Sequence, residues 1–168
     1  MTQAGRIRAA RVLAPLAVSA LALTLTGCGN LVSTKVSGMV GVALEQGEPV
    51  IVLLSCGELL DTVSASGDRS GVSNDQPNPV LGEWTTGEGK PGVTVLDPAA
   101  PTDGWEGNAM PWPKDRTVII SAAAHGKDVA GRSVTVEPDA LDGLHAGDVL
   151  IGDSGTTLTA QAFRARCQ

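Results

Sequence analysis

Residues 36–54, VSGMVGVALEQGEPVIVLL, carry the clearest structural signal in this chain. Up to Leu44, apolar residues alternate along the segment with a period of two, which is typical of a β-strand. The segment Glu45-Gln46-Gly47-Glu48 supplies a turn, and Pro49 opens the next strand at a position where proline is tolerated. The apolar run from Val50 to Leu54 is short enough for a buried central strand. The stretch therefore predicts a β-hairpin.

Short apolar segments between turn signals continue to the C-terminus. They predict a short helical or 3₁₀ turn at 138–144 and further strands at 59–64, 80–86, 93–96, 117–122, 132–136, 148–151 and 156–165. No convincing helix follows residue 28, so the pattern predicts an all-β fold. We expect a β-sandwich with an immunoglobulin-like Greek-key arrangement, and a small β-barrel is the alternative.

The N-terminal segment has a different character. Three arginines and no acidic residue precede an apolar run from Val12 to Leu25. At about 14 residues, this run is too short to span a hydrocarbon core of ~30 Å comfortably as a permanent helix. It ends in Leu25-Thr26-Gly27-Cys28, an aliphatic residue, two small residues and a cysteine. This motif resembles the lipobox of bacterial lipoproteins.

The lipobox resemblance implies an address. In that family the cysteine, here Cys28, receives a diacylglycerol, and the peptide is cut before it. Residues 1–27 would then be a helical signal peptide, 28–34 a short tether and 35–168 a single β-rich domain. The domain would be held on the extracytoplasmic face of the cell membrane by lipid attached to Cys28. An ordinary secretion signal and a permanent anchor helix are the alternatives.

The charge of the chain restricts its partners. Of the 168 residues, 141 would remain after cleavage, with nine basic and eighteen acidic residues and a net charge of −9. This balance argues against nucleic acid, which attracts basic surfaces. It also argues against electrostatic attachment to anionic lipid headgroups, so attachment is expected to come from the lipid on Cys28.

The cysteine count agrees with the lipobox. Lipidation would use Cys28 and leave Cys56 and Cys167, an even pair in an oxidising compartment, where a disulfide is expected. Two free thiols are the alternative. No CxxC or HxH spacing accompanies the pair, so a metal site is not expected.

Residues 66–115 are rich in glycine and proline but also contain all three tryptophans. Such a region can present aromatic rings on a rigid sheet. Either the tryptophans bury as the core of the loop, or some of them bind a sugar ring or a proline-rich segment of a partner. Burial is favoured because the chain has one phenylalanine and no tyrosine. The candidate ligand or partner residues are Trp105, Trp112, Asp103 and Asn108.

Two fragments invite a catalytic interpretation. Ser121-Ala122-Ala123-Ala124-His125 and Gly152-Asp153-Ser154-Gly155 resemble the histidine and nucleophile segments of chymotrypsin-like proteases. His125 and Ser154 are too close in sequence for that family, and Thr156 replaces its second glycine. An Asp-Ser-Gly hairpin turn is the simpler interpretation.

Metal binding has equally little support in the sequence. His125 and His145 are the only histidines, and Met39 and Met110 offer soft ligands, but no pair has ligand spacing on a strand. We therefore expect no catalytic set, no metal and no cofactor. The leading hypothesis is a non-enzymatic lipoprotein module that binds or scaffolds an unknown envelope protein or glycan. The alternatives are a small envelope hydrolase using Ser154 and His125, and a metal- or solute-binding lipoprotein.

Overall fold

The computed structural model describes residues 33–87, 89–101 and 104–167. The predicted signal peptide, the lipobox and most of the tether lie outside these residues. Within them, one short helix, α1 (Ala160–Arg164), precedes a 3₁₀ turn (Ala165–Cys167). The strands are β1 (Lys35–Glu45), β2 (Glu48–Ser55), β3 (Thr62–Gly67), β4 (Val80–Thr86), β5 (Gly92–Leu96), β6 (Trp105–Gly107), β7 (Val118–Ala123), β8 (Val129–Arg132), β9 (Val134–Val136), β10 (Asp148–Ile151) and β11 (Thr156–Thr159).

The predicted hairpin is confirmed. β2 pairs antiparallel with β1 over its whole length, from Ser55 opposite Gly38 to Glu48 opposite Glu45. Gln46 and Gly47 form the two-residue turn between them, with φ angles of 54° and 89°. Positive φ at both positions matches the twist of the turn to that of the strands, and glycine adopts it without strain.

The strands form one mixed sheet that curves into a nearly closed barrel. Neighbouring strands follow the order β5-β2-β1-β8-β7-β3-β4-β6, and β8 is parallel to β1. β10 pairs with the second half of β1, and β11 pairs with β10. The two end strands of this order are β5 and β6. A hydrogen bond joins the segments that follow them, because the Met110 N–H donates to the Pro98 carbonyl at 2.7 Å. The fold is therefore all-β, as predicted. A single curved sheet supports the small-barrel alternative and does not specifically support the immunoglobulin-like sandwich.

Two apolar cores explain the sequence pattern of the hairpin. Inside the barrel, Ile51 and Leu53 of β2 join the main core. Val50, Val52 and Leu54 face a second core on the outer surface, which Phe163 of α1 covers. β2 is therefore a continuous apolar run because both of its faces are buried.

Trp84 is the largest fully buried side chain of the main core. Gly82 precedes it by two positions on β4, and Gly107 lies directly opposite it on β6. A Cβ at either glycine would come within 2.6 Å of the indole ring. The two glycines therefore make the space that the ring occupies. The indole N–H donates to the Asn108 carbonyl at 3.1 Å, which satisfies its one polar group.

The predicted strand at 156–165 is wrong in its second half. β11 ends at Thr159, whose hydroxyl accepts a hydrogen bond from the Ala162 N–H at 3.2 Å and caps α1. The predicted disulfide is confirmed, because Cys56 and Cys167 are bonded with their Cα atoms 5.0 Å apart. The bond fastens the chain after α1 to the end of β2.

Other predicted boundaries differ from the structure. β3 begins at Thr62 and not at residue 59, because the Leu60 N–H donates to the Ser55 hydroxyl and keeps the preceding segment in a loop. Residues 138–143 form successive turns with hydrogen bonds of the 3₁₀ type, each from an N–H to the carbonyl three residues earlier, as the predicted short turn requires, but no continuous helix. β6 and β8 were not predicted, since three or four residues are too few to show a period.

Candidate functional site

The three predicted ligand residues that the structure describes differ in exposure. Trp105 is 6% exposed and belongs to the main core. Asn108 is exposed, and its backbone carbonyl accepts the hydrogen bond from Trp84. Trp112 is half-buried against the main core, and Asp103 lies outside the described residues. Trp105 is thus a core residue, whereas Trp112 keeps part of its ring at the surface.

Trp112 lines a groove of about 630 Å³ at the end of the barrel that carries the β1–β2 turn. We call it the Trp112 groove. Its volume falls in the range of ligand pockets, and polar and apolar surface contribute about equally to its lining. Its lining includes Glu48, Pro49, Trp112, Lys114, Leu141 and Asp142.

The chain around Trp112 is held on both sides. Met110 is buried in the main core, and its N–H bonds to Pro98. Pro111 and Pro113 flank the tryptophan, and each ring fixes its backbone φ near −65°. These constraints present the indole at little entropic cost. The flanking prolines were visible in the sequence, but the contribution of Glu48 and Asp142 to the same groove was not.

No described contact joins Ser154 to His125. The Ser154 hydroxyl pairs with Thr156 at 3.2 Å, and the neighbouring Asp153 accepts from Thr135 on β9. Thr135 lies opposite Ile119 near the start of β7, whereas His125 follows the end of that strand. Along β7, Ile119 and the last residue, Ala123, are four residues and therefore about 13 Å apart. The structure therefore places the two residues toward different ends of β7.

The described residues include no cluster of three or more His, Cys, Asp or Glu side chains able to hold a metal ion. His145 lies 4.0 Å from Asp148 and is exposed. The two methionines suggested as soft ligands are buried in different cores, Met39 on the outer face and Met110 inside the barrel. The candidate metal ligands are therefore dispersed.

Glu58 is the centre of an ion-pair group beside the start of β1. Its carboxylate lies 3.1 Å from the Lys127 ammonium and 3.6 Å from that of Lys35. The hydrogen bond and charge of Lys127, followed by the charge of Lys35, lower the pKa of Glu58 from its usual value. A lowered folded-state pKa means that this stabilisation is present at neutral pH and is lost on acidification through that pKa.

Family models, curated proteins and solved structures were compared with the chain, and none matches it. Among the residues that the structure describes, no helix is long and apolar enough to cross a membrane.

Proposed function

We propose that this chain is a bacterial envelope lipoprotein whose barrel domain is a non-enzymatic binding module. The Cys56–Cys167 disulfide carries the proposal. Disulfides persist in oxidising compartments, and this one pairs the two cysteines that the lipobox leaves over. The lipobox resemblance, the pairing of the other two cysteines and a β-rich domain whose first strand begins at Lys35 all suit an anchored extracytoplasmic domain. No specific observation favours the hydrolase or the metal carrier.

The Trp112 groove is the proposed ligand surface, and a glycan is the ligand class we favour. One indole face suits a sugar ring, and the carboxylates of Glu48 and Asp142 can accept hydrogen bonds from sugar hydroxyls. A proline-rich peptide is a weaker fit, because such segments dock in grooves lined by several aromatic rings. Among the described lining residues of this groove, Trp112 is the single aromatic one.

Replacing Cys28 with serine tests the anchor. The variant is expected to move from the membrane fraction to the soluble fraction when cells are lysed and membranes are washed in 1 M salt. Salt at this concentration reduces the Debye length to about 3 Å and removes weak electrostatic attachment, whereas a diacyl anchor resists it. The unmodified chain, which should stay with the membrane, is the control. Retention of the Cys28→Ser chain in the washed membrane would contradict the proposal.

Replacing Trp112 with alanine tests the ligand surface. Co-sedimentation with insoluble cell-wall glycan is expected to weaken by roughly fivefold, because an aromatic stacking contact contributes on the order of 1 kcal/mol. The matched control is Val80→Ala, an exposed residue that does not line the groove. Equal sedimentation of both variants and the parent would contradict a glycan site at this groove. Loss of binding to a proline-rich peptide alone would favour the peptide alternative.

A further inference from the structure

Charges are distributed unevenly between the two ends of the barrel. We call the end where β1 begins the tether end, since residues 29–34 lead into it, and the opposite end with the β1–β2 turn the distal end. Described basic residues at the tether end are Lys35, Lys90, Lys127, Arg132 and Arg166, against Glu58, Asp61, Glu106 and Asp128. At the distal end the acidic residues are Glu45, Glu48, Asp68, Asp115, Glu137, Asp139, Asp142 and Asp148, against Arg69, Lys114 and Arg116. The acidic excess is therefore concentrated at the distal end, whereas charges at the tether end nearly balance.

A pocket of about 410 Å³ at the tether end contains two of these cations. Arg132 is the last residue of β8, and Arg166 lies in the 3₁₀ turn beside the disulfide. Val36 and Met39 of β1 contribute apolar surface, and no acidic side chain is among the described lining residues. Two arginine residues thus line a pocket that also has an apolar wall.

The arginines of this pocket differ from the lysines nearby. Lys35 and Lys127 are both paired with Glu58. No salt bridge or side-chain hydrogen bond of Arg132 or Arg166 is found within residues 33–87, 89–101 and 104–167. Guanidinium groups match the geometry of phosphate oxygens and bind them through paired hydrogen bonds. The pocket is therefore suited to a phosphate group.

The tether limits where this pocket can lie. Seven peptide units connect Cys28 to Lys35, so the two Cα atoms are at most about 25 Å apart whatever the path of the chain. β1 has 11 residues and extends for roughly 35 Å from the tether end to the distal end. A lipid on Cys28 therefore keeps the tether end near the bilayer. Val36 is 58% exposed there and Leu59 38%, and both add apolar surface to this end.

We propose that the pocket of Arg132 and Arg166 binds the phosphate of anionic lipid headgroups and orients the domain with its tether end on the bilayer. The inference rests on the proposed lipid anchor. The lipid supplies attachment, and the two arginines supply orientation. The acidic distal end and the Trp112 groove then face away from the membrane, where a glycan can reach them.

The lipidated chain is reconstituted in two kinds of vesicle, one of neutral lipid and one of neutral lipid mixed with anionic phosphatidylglycerol. Hydrogen exchange of the backbone is then measured in both. Anionic vesicles are expected to slow exchange in β8 and in the segment 164–167. The double variant Arg132→Gln/Arg166→Gln should lose this protection. The matched control, Arg69→Gln/Arg116→Gln, removes the same charge from the distal end and should retain it. Both changes are at exposed positions, so unchanged thermal midpoints verify that the fold is intact.

Vesicle affinity of the Cys28→Ser chain gives a second measurement that does not depend on lipidation. Each arginine is expected to contribute about fivefold near an anionic surface, so the double variant should bind anionic vesicles roughly 25-fold more weakly at low salt. Equal affinities, or equal protection in neutral and anionic vesicles, would overturn the proposal. If inorganic phosphate protects the same segments when only neutral vesicles are present, the pocket binds free phosphate and the membrane role is overturned. Because the anchor is judged separately from washed membranes, its failure is distinguishable from that of the pocket.

Discussion

The Trp84→Ala variant is expected to lose about 3–5 kcal/mol of unfolding free energy, the range measured for aromatic residues truncated in protein cores. The indole is 0% exposed and fills the space above Gly82 and Gly107. Strand pairing on both sides fixes the backbone of β4, so the barrel wall cannot collapse into the vacated volume. Urea denaturation followed by far-ultraviolet circular dichroism measures the change.

A matched control exists on the same strand. Val80 is 72% exposed, so Val80→Ala should change the unfolding free energy by no more than about 0.5 kcal/mol. A Trp84→Ala variant as stable as Val80→Ala would show that the indole is not part of the barrel core. Such a result would also leave Gly82 and Gly107 without a packing role.

Removing the disulfide is expected to have the second large effect. The chain-entropy model gives about 5 kcal/mol as an upper value for closing a loop of this length, since Cys56 and Cys167 are 111 positions apart. The Cys56→Ser/Cys167→Ser variant, in a Cys28→Ser background that excludes thiol exchange, should unfold at a markedly lower urea concentration. Hydrogen exchange should rise first in α1, because the bond fastens the chain that follows this helix.

Reductant provides the control for this prediction. It should destabilise the Cys28→Ser chain to the level of the triple-serine variant and leave the triple variant itself unchanged. If reduction does not shift the urea midpoint of the Cys28→Ser chain, the disulfide contributes nothing measurable to the fold. If exchange rises uniformly along the chain, α1 does not depend on the bond more than the rest of the barrel does.

Much of the strand content was accessible from local sequence. The alternation along β1, the turn at Gln46-Gly47 and the segment at 80–86 were predicted with nearly correct boundaries, because each rests on neighbouring residues. The end of β11 was missed although a signal was present. Thr159 is followed by Ala-Gln-Ala, a capping residue before good helix formers, but the alternating small residues fitted a strand equally well.

The candidate site was only partly accessible from sequence. Trp105 and Trp112 looked equivalent there, since both lie among glycines and prolines. The first pairs within a strand opposite Thr86 and enters the core, whereas the second belongs to a loop and keeps an exposed face. Glu48 and Asp142 are 94 positions apart and meet in one groove only through the barrel.

The sequence by itself determined most of the strand-forming segments and the hairpin turn, because periodicity and turn chemistry are properties of neighbouring residues, and it predicted the disulfide only through the lipobox resemblance that sets Cys28 apart. The tertiary structure alone decided that β8 runs parallel to β1, that Trp84 rather than Trp112 fills the barrel, and that Arg132 and Arg166 share a pocket. Each of these depends on contacts between residues distant along the chain. Such contacts are selected by closure of the whole sheet around one core, and no local pattern encodes that closure.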